Sequence, residues 1–200
     1  KHLGKPGEAE QEYRAGLAID EKLAAESPNV PELQYDLASS HYALGSLLYD
    51  VGKPLEAEEQ HRQALAMGEQ LVAQCPAIPD YRYQLANTHN ALGLVLSDLE
   101  KPADAEQQYR QALAIHERLA AELPTLLQYQ VDLSGTCCNI GGLLSSTGKP
   151  ADSLPWFDKA IRMLSTVCDQ DPQSVLAKQY LRNSYLSRAK TYALLKQYTE

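Results

Sequence analysis

No run of apolar residues in this 200-residue chain is long enough to cross a bilayer, and none has the form of a signal-peptide core. Cations are scarce as well: 18 Lys and Arg stand against 26 Asp and Glu, a net charge of −8. Nucleic acids and anionic membranes are bound chiefly through Lys and Arg that neutralise phosphate, so this balance argues against both. Four cysteines, Cys75, Cys137, Cys138 and Cys168, include no C-x-x-C pair and no histidine at metal-ligand spacing. Neither a zinc centre nor a dithiol redox motif is supported, and no metal or cofactor is expected. The cysteines read as small buried or half-buried thiols in a reducing compartment. The chain has no initiator Met and reads as a segment of a longer protein.

What is present is a period. Gly-Lys-Pro occurs at Gly4-Lys5-Pro6, Gly52-Lys53-Pro54 and Gly148-Lys149-Pro150, with Glu100-Lys101-Pro102 completing a series spaced by 48 residues. A glycine beside a lysine can cradle phosphate, but a phosphate loop needs a glycine-rich run leading from a strand into a helix, and neither accompanies the triplet. A feature repeated at one period belongs to architecture. The same spacing aligns Pro28, Pro76, Pro124 and Pro172, and it aligns Leu37, Leu85, Leu133 and Leu181. Leu44-Gly45, Leu92-Gly93 and Ile140-Gly141 coincide too, as do Ala9, Ala57 and Ala105 with Ser153.

Inside each unit the apolar residues recur with a helical period. Leu33, Leu37, His41, Leu44, Leu48 and Val51 define one amphipathic face; Leu55, Ala57, His61, Ala64, Leu65, Gly68, Leu71 and Val72 define the next. Pro31, Pro79, Pro54 and Pro102 stand where helices begin, because a first-turn proline forfeits no intrahelical bond. Gly52 stands where one ends, in the left-handed conformation glycine tolerates, and the lysine after it meets the negative end of the helix dipole. Eight helices are predicted, at 6–26, 31–51, 54–74, 79–99, 102–122, 127–147, 150–170 and 173–197. Joined by short turns, they stack in antiparallel pairs as an all-α solenoid with a single domain over 1–200: partial repeats 1–27 and 172–200 flank repeats 28–75, 76–123 and 124–171. Pro155 conflicts with this pattern, and a kink or a helix start near Ser153 is predicted there.

These residues resemble the tetratricopeptide repeat, in a long-helix variety similar to kinesin-light-chain-like arrays and to the repeat regions of some bacterial Ser/Thr kinases. The resemblance rests on Leu44-Gly45, Leu48, Ala57, His61 and Ala64, then Leu92-Gly93, Leu96, Ala105, Tyr109 and Ala112, then Ile140-Gly141, Leu144, Ser153, Phe157 and Ala160, with Ala9, Tyr13 and Gly16 from a partial copy. It departs from the family in its longer period, in His41, His89 and Cys137 replacing an aromatic, and in Arg188-Ala189 replacing Leu-Gly. The resemblance implies a right-handed superhelix and a protein-binding scaffold working in a bacterial cytoplasm.

It also implies a concave face lined by Ser39, Tyr42, Ser46, Tyr49 and Asp50, by Asn87, Asn90, Leu94, Ser97 and Asp98, by Gly135, Cys138, Gly142, Ser145 and Ser146, and by Asn183, Leu186, Lys190, Ala193 and Leu194. Asparagines there suit the backbone of an extended peptide and the tyrosines and leucines its apolar side chains, while Asp50 and Asp98 favour a neutral or basic segment. Lys190 alone is too little for a carboxylate clamp. The runner-up is a regulatory or localising segment of a larger signalling enzyme. A third possibility is head-to-tail self-association, since Leu181, Tyr185, Tyr192 and Leu195 of the last helix seek cover. Catalysis within these residues is not expected: His41 and His89 have no recurring third ligand, acids such as Glu56, Glu58 and Glu59 suit a first helical turn, and the kinase motifs are absent.

Overall fold

The computed structural model describes residues 6–197, and eight α-helices make up most of them. They are α1 (Pro6–Glu26), α2 (Pro31–Asp50), α3 (Pro54–Gln74), α4 (Pro79–Asp98), α5 (Pro102–Glu122), α6 (Leu127–Ser146), α7 (Pro150–Gln170) and α8 (Val175–Gln197). Helices α2, α4 and α6 each end one residue sooner than periodicity alone predicts. Helix α8 starts at Val175 rather than at 173, because Ser174 supplies a cap: its Oγ accepts the Ala177 N–H at 3.3 Å. The first Gly-Lys-Pro turn, at Gly4 and Lys5, lies outside the described residues.

The turns show why α2, α4 and α6 stop where they do. Gly52 and Gly148 take φ of 79° and 81°, and Glu100 takes φ of 58° at the equivalent place. In each turn the following lysine donates its backbone N–H back to a carbonyl in the last helical turn: Lys53 to Leu48, Lys101 to Leu96, and Lys149 to Leu144, at 2.8 to 2.9 Å. The lysine side chains reach further than the dipole argument suggests. Lys53 Nζ lies 2.9 Å from Glu10 Oε2 on α1, and Lys101 Nζ lies 2.7 Å from Glu58 Oε2 on α3.

Two compact units divide the chain, Lys1–Lys101 with α1 to α4 and Pro102–Glu200 with α5 to α8. In the first, α1 packs on α2, α2 on α3 and α3 on α4, and α2 also touches α4. Its core gathers Leu17, Ala24, Leu37, Leu44, Leu48, Ala57 and Val95, and Leu44 and Leu48 are fully shielded at 0 % exposure. Removing a side chain of that size from water stabilises the fold by about 1.5–3 kcal/mol. The second unit repeats the pattern from α5 to α8, with α6 touching α8. Val131, Leu164, Val167 and Ala177 form one cluster; Leu133, Cys137 and Ala160 form another.

The Leu-Gly signature has a steric basis. A Cβ on Gly45 would lie 2.9 Å from the His61 ring, and one on Gly141 would lie 2.8 Å from the Phe157 ring. Each glycine therefore lets a second-helix ring sit directly on first-helix backbone. Leu55, read as part of the apolar face, is instead 70 % exposed, because it sits in the first turn of α3.

Helix α7 decides between the two alternatives expected at Pro155 only as to its start. It runs from Pro150 with Pro155 inside it, so it does not start near Ser153. Pro155 lies within the first two turns, where its missing N–H deprives only the Ala151 carbonyl, and both residues are exposed to water. The entry is tightened locally: Asp152 N–H donates to Lys149 O at 3.1 Å, and Ser153 Oγ to Pro150 O at 2.7 Å.

Candidate functional site

The first helices of each pair carry the residues expected to line a binding face. In the first unit these lie on α2 and α4. Ser39 Oγ and Ser46 Oγ both donate to their own helix, to Tyr35 O at 2.9 Å and Tyr42 O at 3.0 Å, which leaves their lone pairs as acceptors. Gln84 Nε2 already uses one of them, donating to Ser39 Oγ at 2.8 Å. Tyr42 is half-buried, with its ring 5.6 Å from that of His61 on α3. Asn87, Asn90 and Ser97 are half-buried, and Asp50, Leu94 and Asp98 are exposed.

Tyr49 and Asp98 join the two helices. Tyr49 Oη donates to Asp98 Oδ2 at 2.5 Å. Partial burial and this hydrogen bond to a carboxylate push the phenol up to about 12, so Tyr49 remains a donor throughout the neutral range. Near the α2 N-terminus, Tyr35 stacks on Tyr81 with ring centroids 5.2 Å apart. Along α2 and α4 an aromatic pair thus lies at one end, an acidic clasp at the other, and amides between.

The second unit differs in chemistry. Helix α6 offers small groups, Gly135, Cys138, Gly142, Ser145 and Ser146, and α8 answers with hydroxyls. Cys138 Sγ lies 2.8 Å from Ser184 Oγ, and Ser145 Oγ lies 3.2 Å from Thr191 Oγ1. Asn183, Leu186 and Lys190 are exposed, and Asn183 Oδ1 accepts from Arg182 at 3.1 and 3.3 Å. Helix α8 carries Lys178, Arg182, Arg188, Lys190 and Lys196 and no acid. Arg188, in place of Leu44, Leu92 and Ile140 of the earlier copies, pairs with Asp158 on α7 at 2.5 Å.

All four thiols are free, and burial pushes Cys137 up to about 12, far from a reactive thiolate. His41 Nδ1 meets Gln60 Oε1 at 2.9 Å, and His89 is buried. Among the described residues, no group of three His, Cys, Asp or Glu side chains is placed to hold a metal ion.

Sequence reasoning missed Gln84, Ser184 and Thr191. A signal for one of them was present: Ser40, Thr88, Thr136 and Ser184 place a hydroxyl at the same repeat position. Thr88, Thr136 and Ser184 are buried and donate to the carbonyl four residues back. Ser40 turns instead to Asp20 on α1.

Residues 37–73 and 85–120 match the family model described as Tetratricopeptide repeat. Among solved structures, a putative kinesin light chain from Podosopora anserina with nearly identical TPR-like repeats is similar at 17 % identity and a TM-score of 0.56, over 97 % of this chain and 85 % of that one. Aspartyl phosphate phosphatase F from Bacillus subtilis is similar at 18 % identity and a TM-score of 0.51, over 94 % of this chain and 50 % of that one. MamA is similar at 14 % identity and a TM-score of 0.48, over 96 % and 98 %. These likenesses concern the fold alone. No curated protein matches.

Proposed function

We propose that this chain, whose residues 37–73 and 85–120 match the tetratricopeptide-repeat model, is a non-catalytic scaffold that holds a partner protein's extended segment on its first helices. The observation that carries this reading is the division of labour on α2 and α4. Leu37, Leu44, Leu48, Leu85, Leu92 and Leu96 are buried in packing, while Tyr42, Tyr49, Asn87, Asn90 and Leu94 at the intervening positions keep contact with solvent. Asparagine amides that both donate and accept suit a peptide backbone, and the tyrosines offer rigid apolar area. Asp50 and Asp98 tilt this unit toward a neutral or basic segment. Binders selected from a random peptide library test the reading. Replacing Tyr49 and Asn90 together by alanine should weaken them by about 2 kcal/mol or more, as at an interface hot spot. A loss under about 0.5 kcal/mol on that scale would sink it.

The charge on α8 favours a second reading, head-to-tail self-association. Its exposed Tyr185, Leu186 and Tyr192 are set among five cations, whereas α1 exposes Tyr13, Ile19 and Leu23 among Glu8, Glu12, Glu21 and Glu26. Such a contact is heterologous and open-ended. Sedimentation at rising concentration should then show salt-sensitive assembly, and a monomer throughout would exclude it. No helix among the described residues is long and apolar enough to cross a membrane.

A further inference from the structure

We propose a second binding site, independent of the first-helix face: a pocket on the second helices α5 and α7 that takes an uncharged aromatic side chain of a partner peptide. The pocket encloses about 380 Å³ and is lined by Glu106, Arg110, Leu113, Ala114 and Glu117 of α5, Ile140 and Leu144 of α6, and Trp156 of α7. That volume lies at the lower end of the roughly 300–1,000 Å³ of ligand pockets, suited to one large side chain. No residue of α8 and none of the expected groove positions lines it.

The first unit provides an internal control. Counting back two periods, the lining positions become Glu10, Arg14, Leu17, Ala18, Glu21, Leu44, Leu48 and Gln60. Seven are identical or aliphatic for aliphatic; only Trp156 breaks the series, replacing Gln60 and, in the middle copy, Gln108. Where Gln60 stands, its Oε1 meets His41 Nδ1 at 2.9 Å and ties α3 to α2. In the second unit His41 is replaced by Cys137 and Gln60 by the indole, so that tie is absent and an apolar wall stands in its place. Leu17 is buried at 7 %, whereas its counterpart Leu113 is only half-buried.

The rim selects the occupant. At one end Arg110 pairs with Glu106 at 2.6 Å; at the other Lys159 pairs with Glu117 at 2.6 Å while lying 5.9 Å from the Trp156 ring centroid. The charges cancel in each pair, so neither sign of ligand is favoured. Each end presents one acceptor and one donor, the complement of a peptide N–H and C=O. Between them Leu113, Ile140, Leu144 and Trp156 form an apolar floor and wall, the arrangement of a buried anchor within a polar rim. An aromatic ring gains stacking or edge contacts on the indole that an aliphatic group lacks.

Trp156 is the sole tryptophan of the chain and so reports on its own site. Titration with N-acetyl-phenylalanine amide should change its emission saturably, with Kd on the order of 1 mM for a fragment of that size. N-acetyl-leucine amide should bind several-fold more weakly. Ala114→Phe, on the exposed rim, should abolish the response while leaving the thermal melt in place. Trp156→Gln, which installs the residue of the other copies, should abolish ligand-induced shifts of the Leu113 and Leu144 methyl resonances. A response that does not saturate, or that survives Ala114→Phe, overturns the site. Equal binding of the leucine amide overturns the aromatic assignment. None of these outcomes bears on the α2 and α4 face.

Discussion

Lys101 Nζ sits 2.7 Å from Glu58 Oε2, a contact between the turn that closes α4 and the helix before it, and Lys53 repeats it on Glu10. Burial works against ionisation of Glu58, but hydrogen bonds from Lys101 and Arg62 outweigh it and hold the carboxyl below its ordinary range. The Glu58 side chain is 12 % exposed and that of Lys101 42 %, so solvent screens much of the attraction. A double-mutant cycle with Glu58→Gln and Lys101→Met should give a coupling of about 0.5 kcal/mol in low salt, vanishing near 1 M.

Two adjacent glycines on α6 should respond oppositely to alanine. A Cβ on Gly141 would meet the Phe157 ring at 2.8 Å, and overpacking of that kind costs about 1–3 kcal/mol. Gly142 has nothing within 4 Å of its Cβ position and is exposed on a helix, so Gly142→Ala should stabilise by about 1 kcal/mol. Urea denaturation of the two variants distinguishes them directly.

Glu100 holds φ at 58° where Gly52 and Gly148 hold similar values. This conformation costs a non-glycine residue about 1 kcal/mol, so Glu100→Gly should raise stability by that order. A neutral or harmful result in the same denaturation assay would mean that the Glu100 side chain contributes a contact that offsets its backbone strain.

Acid should weaken the fold before the carboxylates titrate. Burial pushes His61 and His116 down to about 4, from an ordinary 6.5. The unfolded chain therefore takes up protons first as pH falls. Stability is complete above pH 6.5 and declines toward 4, with each histidine removing roughly 2–3 kcal/mol across that window. Glu58, held low by its partners, adds its own loss only below its ordinary 4.5. His61→Phe, which installs the residue found as Phe157 at the same repeat position, should flatten the decline between pH 6.5 and 4.5 by about half. Unchanged pH dependence in that variant would rule out His61 as a source.

Helix order and turn placement were legible because each depends on residues within one 48-residue period. Contacts between successive periods were not. Gln84 reaches Ser39, and Cys138 reaches Ser184, only because neighbouring first helices are rotated by a particular amount, and periodicity carries no record of that angle. The Trp156 pocket escaped for a related reason. It is a difference between copies, and a search for what repeats discards it. The helix start at Val175 was lost to a local contest, in which Ser174 capped more effectively than Pro172 opened.

The recurring Lys-Pro junction has a consequence for how such a chain changes over generations. Excising residues 54–101 would join Lys53 to Pro102 and rebuild Gly-Lys-Pro, the same helix stop and start, at the seam. Duplication of that stretch joins Lys101 to Pro54 and repeats the Glu-Lys-Pro turn already present at Glu100-Lys101-Pro102. A gene of this kind can gain or lose whole repeats by unequal crossing-over while every seam remains one the fold already uses, so length varies by recombination and side chains such as Trp156 vary by point mutation.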